Sequence, residues 1–361
     1  MLLNKNHYLV ILSVILLTVI LYWPSFSSPF FQDDVVVLRS KNISNFLTTL
    51  PKNRYYPVSV QLFYSFSKSV FGLNPFGFHL ILFIFSSLSL FLIFSLARKI
   101  LLDDKKAYLT VFFYAFNISL FANFYWVAVS YFVFGGFFIF LSLYFYWQKN
   151  FLTLSLISFV MALLSNELAF VYPFLLTITS WYFKKWSKSL IFFLIIGFLY
   201  ILFKIFLIGF STNTDYTLNF FGIFSTARWY LLRAFNLPEG IKFASDRSLL
   251  ILFVIFLMFL LISFYYRLKS KKIDFRLYLF SLFWFLIGAL PFFFLPMHLS
   301  SYYLTVALFG ISLFFSNLLS ENPRILLLAI LVYFLLTFRG LIFLSQTHWI
   351  ILKNTGPIGI M

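Results

Sequence analysis

The sequence of 361 residues contains no cysteine. Disulfides, thiolate nucleophiles and Cys-based zinc sites are therefore excluded. Charge is scarce as well: 10% of residues are Asp, Glu, Lys or Arg, against roughly 25% in a soluble domain. Acids are the scarcest group, 10 against 27 Lys and Arg, and His occurs 4 times. No Gly-rich phosphate loop, Gly-x-Ser-x-Gly elbow or dinucleotide fingerprint occurs, so ATP- or NAD-driven chemistry has no support. Nothing resembles His-Glu-x-x-His, so metalloprotease chemistry is not expected. No metal or cofactor is implied, and a divalent cation has no ligand cluster to support it.

Hydrocarbon fills the space. The chain is 62% hydrophobic, with a mean hydropathy of +0.97. A water-soluble fold cannot hide that much apolar surface, so lipid must be the solvent for most of it. The 57 Phe suit lipid-facing helices, but AT-rich codon usage is the plainer account of them and no function is drawn from it. The expected fold is an all-α integral membrane domain over residues 1–361. At about 20 residues per span, the length fits about 11 transmembrane helices. Apolar runs place them near 8–24, 77–97, 107–123, 130–147, 151–165, 168–183, 189–209, 248–266, 277–295, 302–319 and 325–344. The first run ends in Trp23-Pro24 without a small-residue cleavage site, so it reads as a retained helix.

A net charge of +17 would suggest nucleic acid in a soluble protein. In a membrane protein, basic clusters in short loops set topology instead. Arg98-Lys99, Lys105-Lys106, Lys184-Lys185 and Lys269-Ser270-Lys271-Lys272 are such clusters. They predict a cytoplasmic N-terminus, and no nucleic-acid partner is expected. Two outer segments, about 25–76 and 210–247, are too long for turns and are expected to carry function. Each contains an amphipathic stretch expected to lie in the interface. In 57–71, Val58, Leu62, Phe63 and Phe66 share a face. In 220–235, Phe220, Phe221, Phe224 and Leu231 form an apolar side that Arg228 and Arg233 interrupt.

Asp33-Asp34 lies in the first outer segment, flanked by apolar residues. Two adjacent carboxylates at the bilayer edge raise at least one pKa by desolvation and mutual repulsion, which is a route to a general base. The plainer alternative is a solvated pair that caps the next short helix. Glu167 breaks the apolar stretch 151–183 and falls on the same outer side, where an acid at membrane depth is a functional candidate. A helix-start residue in a tight turn is the alternative. His79 and His298 stand at outer helix ends as candidate site-lining residues. Arg54, Arg228 and Arg233 are candidate phosphate ligands, because guanidinium matches phosphate with parallel hydrogen bonds. Attraction to anionic headgroups explains them equally. Lys204, near the outer end of its span, either snorkels or meets a phosphate.

Several segments in order carry a resemblance. They are PFFQDD (29–34), NRYYPVSVQLFYSFSKSVFGLNPFGFH (53–79), NFYWVAVSYFVFGG from 123, LLSNELAFVYPFLL (163–176) and LPMHLSSYYLTVALFG (295–310). Together they resemble the GT-C-type membrane glycosyltransferases, the class of the protein O-mannosyltransferases and their bacterial relatives. GLNPFGFH is the most specific piece, and the likeness is best over about residues 20–180. The resemblance implies a polyprenyl-phosphate-linked sugar donor held in the membrane, and a protein, lipid or glycan acceptor. It implies inverting transfer on the outer face, with Asp33 or Asp34 as base on the acceptor hydroxyl. The expected location is a prokaryotic plasma membrane. The family's Arg-Pro pair reads Tyr56-Pro57 here, its Lys before the Glu reads Asn166, and its late Arg is replaced by Ser300 and Ser301. Arg54 or an outer-loop Arg would have to substitute. Lipid transport and an inactive scaffold are the rival expectations, and transport is disfavoured by the lack of internal repeats.

Overall fold

A computed structural model describes residues 5–39, 56–148, 151–208, 217–241, 246–271 and 273–352. Every regular element among them is a helix. The expected phosphate ligand Arg54 lies outside the described residues.

The chain enters through α1 (Lys5–Leu21) and the short α2 (Asp33–Arg39), then α3 (Phe63–Phe71) and the long α4 (Pro75–Leu101). Next come α5 (Asp104–Ala115), α6 (Phe121–Tyr125), α7 (Ser130–Tyr146) and α8 (Leu152–Ser165). They are followed by α9 (Tyr172–Phe183), α10 (Leu190–Phe203) and α11 (Ile223–Ala234). The chain closes with α12 (Arg247–Lys269), α13 (Phe275–Phe293), α14 (Leu308–Leu319), α15 (Pro323–Thr347) and α16 (Trp349–Leu352). Five helices are individually long and apolar enough to cross a bilayer: α4, α7 with its preceding turn, α12, α13 and α15. Four more apolar helices, α1, α8, α10 and α14, fall below that length.

The single span expected at 107–123 is broken. Its two halves meet at a bend of 52°. Asn117 makes the break. Its Oδ1 accepts from the Ser119 N–H at 3.0 Å, and its amide donates to the Ala234 carbonyl and the Tyr333 hydroxyl, each at 2.9 Å. A side chain that bonds locally offers the backbone an alternative to the helical ladder.

The GLNPFGFH segment is legible residue by residue. Gly72 turns the chain between α3 and α4 at φ +63, a conformation open to glycine at little cost. Asn74 caps α4 by accepting from the Phe76 N–H at 3.1 Å, and Pro75 occupies the first turn, where its missing N–H costs nothing. The Phe71 ring lies against Gly77, in space that a Cβ would need. His79 donates from Nε2 to the Ser28 carbonyl at 3.1 Å, tying α4 to the loop that precedes Asp33.

The helices pack as one layered bundle. α7 lies on α8 and α4, α5 on α4 and α14, α13 on α14 and α9, and α12 on α15. Gly310 lets α14 approach the α13 backbone closely, since a Cβ there would sit 3.0 Å from Phe285 N and would press on the Ser281 carbonyl. Gly310→Val should therefore destabilise by about 1–3 kcal/mol through overpacking, read as a lower melting temperature in detergent. Gly197→Ala should be near neutral, because a Cβ there meets its nearest neighbour at 3.7 Å.

Both amphipathic stretches are helical, but the face expected in 57–71 is split. Val58, Phe63, Tyr64 and Ser67 are buried, whereas Leu62 and Phe66 are exposed beside Val70. Residues 57–62 form a π-turn, whose wider spacing rotates the pattern out of the 3.6-residue phase. In the second segment Phe220, Phe221, Phe224 and Leu231 are exposed together, as the expected apolar side, and Thr226, Tyr230 and Arg233 face inward. The Tyr230 ring packs against Phe292 and Phe293 of α13, so a tertiary partner chose the face.

Candidate functional site

Asp33 and Asp34 form the first turn of α2, and they are not equivalent. Asp34 is fully buried. Its Oδ1 accepts from the Tyr64 hydroxyl at 2.7 Å and its Oδ2 from the Phe31 N–H at 3.3 Å. The Asp34 N–H returns a bond to the Phe31 carbonyl at 3.1 Å, so the two residues close a reciprocal N-terminal box. Gln32, between them, adopts φ 48, a left-handed conformation that non-glycine residues rarely hold. Asp33 is half-buried and acts electrostatically on the Tyr64 hydroxyl.

Burial pushes the Asp34 carboxyl up to about 7, against the opposing hydrogen bonds from Tyr64 and Phe31, with Asp33 adding to the rise. An unfolded Asp titrates near 3.9, so between about pH 4 and 7 the folded state holds the extra proton. Stability should fall across that window as pH rises, by on the order of 4 kcal/mol, and level off above it. Thermal unfolding against pH would show this slope, and Asp34→Asn should lack it.

Glu167 begins a 3₁₀ turn (Glu167–Val171) capped by Asn166, whose side chain accepts from the Leu168 N–H at 3.0 Å. The Glu167 carboxylate meets Lys204 Nζ at 2.8 Å. Lys204 opens a π-turn (Lys204–Ile208) at the end of α10. Its ammonium also lies 4.6 Å from the Tyr56 ring centre, and Tyr56 stacks on Tyr131 at 5.8 Å. Tyr131 in turn influences Tyr64, the partner of Asp34. Two further bonds clamp this path: Ser59 Oγ donates to the Ser165 carbonyl at 2.6 Å, and Ser130 Oγ to the Ser59 carbonyl at 2.9 Å. The structure thus gathers Asp33, Asp34, Glu167 and Lys204 along a run of three tyrosines.

A second cluster lies across an aromatic wall. Phe31 stacks on Trp126 at 5.5 Å, and Trp349 meets both rings edge-on. Behind Trp349, His348 Nε2 reaches Glu239 Oε2 at 3.1 Å, while the Ser301 N–H donates to Glu239 Oε1. Burial raises the Glu239 carboxyl, but His348 and Ser301 outweigh it and hold the group below the usual carboxylate range. Arg233 is buried with its guanidinium 4.4 Å from the Trp229 ring centre. Burial pulls Arg233 down to about 10, opposed by the charge of Glu239. Glu239→Ala would leave the buried Arg233 without its neighbouring negative charge, at a cost of about 3–5 kcal/mol, measurable as a lower melting temperature.

The remaining expected residues scatter. His79 is fully buried and anchors the Ser28 loop rather than lining an open site. His298 is half-buried, with its ring 5.8 Å from Tyr303. Arg228 is exposed on α11. Tyr64, Tyr131, Glu239 and His348 escaped the sequence reading. Only Glu239 carried a signal, as an acid beside Pro238 and Gly240 in an outer segment. Among the described residues no group of three potential metal ligands occurs. No family model, curated protein or solved structure matches the chain.

Proposed function

We propose that this chain is an integral membrane glycosyltransferase that moves a sugar from a polyprenyl-phosphate donor to an acceptor hydroxyl, with inversion. One observation carries the reading: a half-buried carboxylate, Asp33, shares a tyrosine-lined path with Lys204, whose ammonium meets the Glu167 carboxylate at 2.8 Å. That pairing has the parts for displacement at a sugar carbon. Asp33 takes the acceptor proton, the acceptor oxygen bonds to the anomeric carbon, and the bond to phosphate breaks. Lys204 neutralises the leaving phosphate as it departs with the electron pair. Asp34, with both oxygens engaged, holds α2 in place and adds negative charge beside Asp33.

The GT-C likeness fits this assignment in one unexpected way. The family's cation before Glu167 is Asn166 here, and Lys204 brings a cation to the same carboxylate from α10. The reading takes about 11 spans, counting the short helices α1, α8, α9, α10 and α14 and the bent pair α5 and α6. It places Asp33 and Glu167 on the outer face. The test is reconstitution in lipid nanodiscs with polyprenyl-phosphate sugars and a panel of hydroxyl acceptors. Release of polyprenyl phosphate coupled to a glycosylated product is expected; donor consumption absent across the panel counts against the reading.

A second reading, lipid transport, is favoured by one observation. A chamber beside the middle of α4 is lined by Ser86, Ser87, Asn123 and Thr305. Asn123 Oδ1 is buried there with no hydrogen-bond partner among the described residues, a costly arrangement at membrane depth. Movement of labelled lipid without glycosylated product in the same nanodisc preparation, refitted as vesicles, would favour transport.

A further inference from the structure

The turn between α9 and α10 carries an excess of positive charge that the proposed chemistry does not use. Lys184, Lys185 and Lys188 fall within five residues, and all three are exposed. Lys184 ends α9 at φ 53, which turns the chain sharply and sends the lysines out from the bundle. Lys99, at the end of α4, joins them from the side. Its ammonium donates to the Trp147 carbonyl at 3.0 Å and lies 4.9 Å from the Trp147 ring centre. Lys99 and Lys185 are close enough to repel one another.

Among the described residues no acid lies within ion-pair distance of any of these four lysines. Asp274 and Arg276 stand nearby against Tyr182, but their opposite charges leave the excess intact. Two neighbouring ammonium groups with no counter-charge call for an anion. The surroundings say which kind. Trp186 stands between the lysines at 65% exposure, and Ile191, Phe192 and Ile195 are exposed on the first turns of α10. Tryptophan favours the membrane–water interface, and exposed aliphatic and aromatic side chains just beyond it offer a track for acyl chains. A dissolved anion would have no use for that track.

We propose that Lys99, Lys184, Lys185 and Lys188, with Trp186 among them, seat the phosphate headgroup of an anionic membrane lipid. Basic residues at a membrane surface each strengthen attraction to anionic lipid by about fivefold. The seat lies at the opposite ends of α4 and α9 from His79 and Glu167, so it is separate from the proposed transfer site.

The test uses the full-length protein in neutral detergent, with lipid binding followed by native mass spectrometry. The probes are dioleoyl phosphatidylglycerol, dioleoyl phosphatidylcholine and inorganic phosphate. Phosphatidylglycerol should bind more tightly than phosphatidylcholine of the same chains. The triple variant Lys184→Gln, Lys185→Gln, Lys188→Gln should lose about a hundredfold in phosphatidylglycerol affinity. The matching triple Lys→Arg variant should keep it, which separates lost charge from lost fold. Unchanged phosphatidylglycerol binding in the Gln triple overturns the proposal. Full displacement of the lipid by millimolar inorganic phosphate overturns it too, because the seat would then serve a free anion.

Discussion

Asp33→Asn should lower kcat by about 10²–10⁴ while donor binding persists. Asparagine keeps the shape of the first turn of α2 and removes the proton acceptor. Asp34→Asn should keep part of the activity, because the Asp34 oxygens already serve Tyr64 and Phe31 and the side chain is fully buried. The pH profile separates the two roles. Burial holds the Asp34 carboxyl near 7, so negative charge beside the reacting centre builds up only as pH rises through neutral. Wild-type activity should therefore rise through neutral pH, and Asp34→Asn should lose that rise. Full activity in Asp33→Asn would falsify the base assignment; activity in Asp33→Asn with none in Asp34→Asn would reverse the roles.

Lys204 gives the second large effect. Lys204→Met should lower kcat by about 10²–10³, the usual loss when a charge-stabilising donor is removed from a reacting oxygen. Lys204→Arg should recover part of the rate, because charge survives while reach changes. Glu167→Gln acts in the other direction on binding. It frees Lys204 from its 2.8 Å partner, so the phosphate donor should bind more tightly while turnover falls through slower product release. Equal kcat in wild type and Lys204→Met would show that the phosphate is neutralised elsewhere, with Arg233 the next residue to test.

Much of the architecture was legible because apolar runs in lipid have few alternatives. Backbone groups away from water must bond within their own helix, so a run of about 20 apolar residues reads directly as an element. The runs at 77–97, 248–266, 277–295 and 325–344 reappear as α4, α12, α13 and α15. The broken helix at Asn117 was not legible, because one polar residue in an apolar run bends the chain only if distant groups accept its amide. Those groups, Ala234 and Tyr333, are more than a hundred residues away. The faces of residues 57–71 failed for a different reason: a π-turn changed the period on which the reading rested.

The site divides the same way. Composition and pattern alone pointed to a helical chain dissolved in lipid, with Asp33, Asp34 and Glu167 as the candidates among its few acids. Sequence could not rank the two aspartates, since neighbours in a dipeptide share every local property. Tertiary packing ranked them by closing Tyr64 over Asp34 and leaving Asp33 half-buried. It also brought Lys204 to the Glu167 carboxylate. A cation is recruited by proximity in three dimensions, and α10 reaches the Glu167 turn only through helix packing. Arg233, by contrast, was drawn into a buried cluster with Glu239 that no spacing in the sequence foretold.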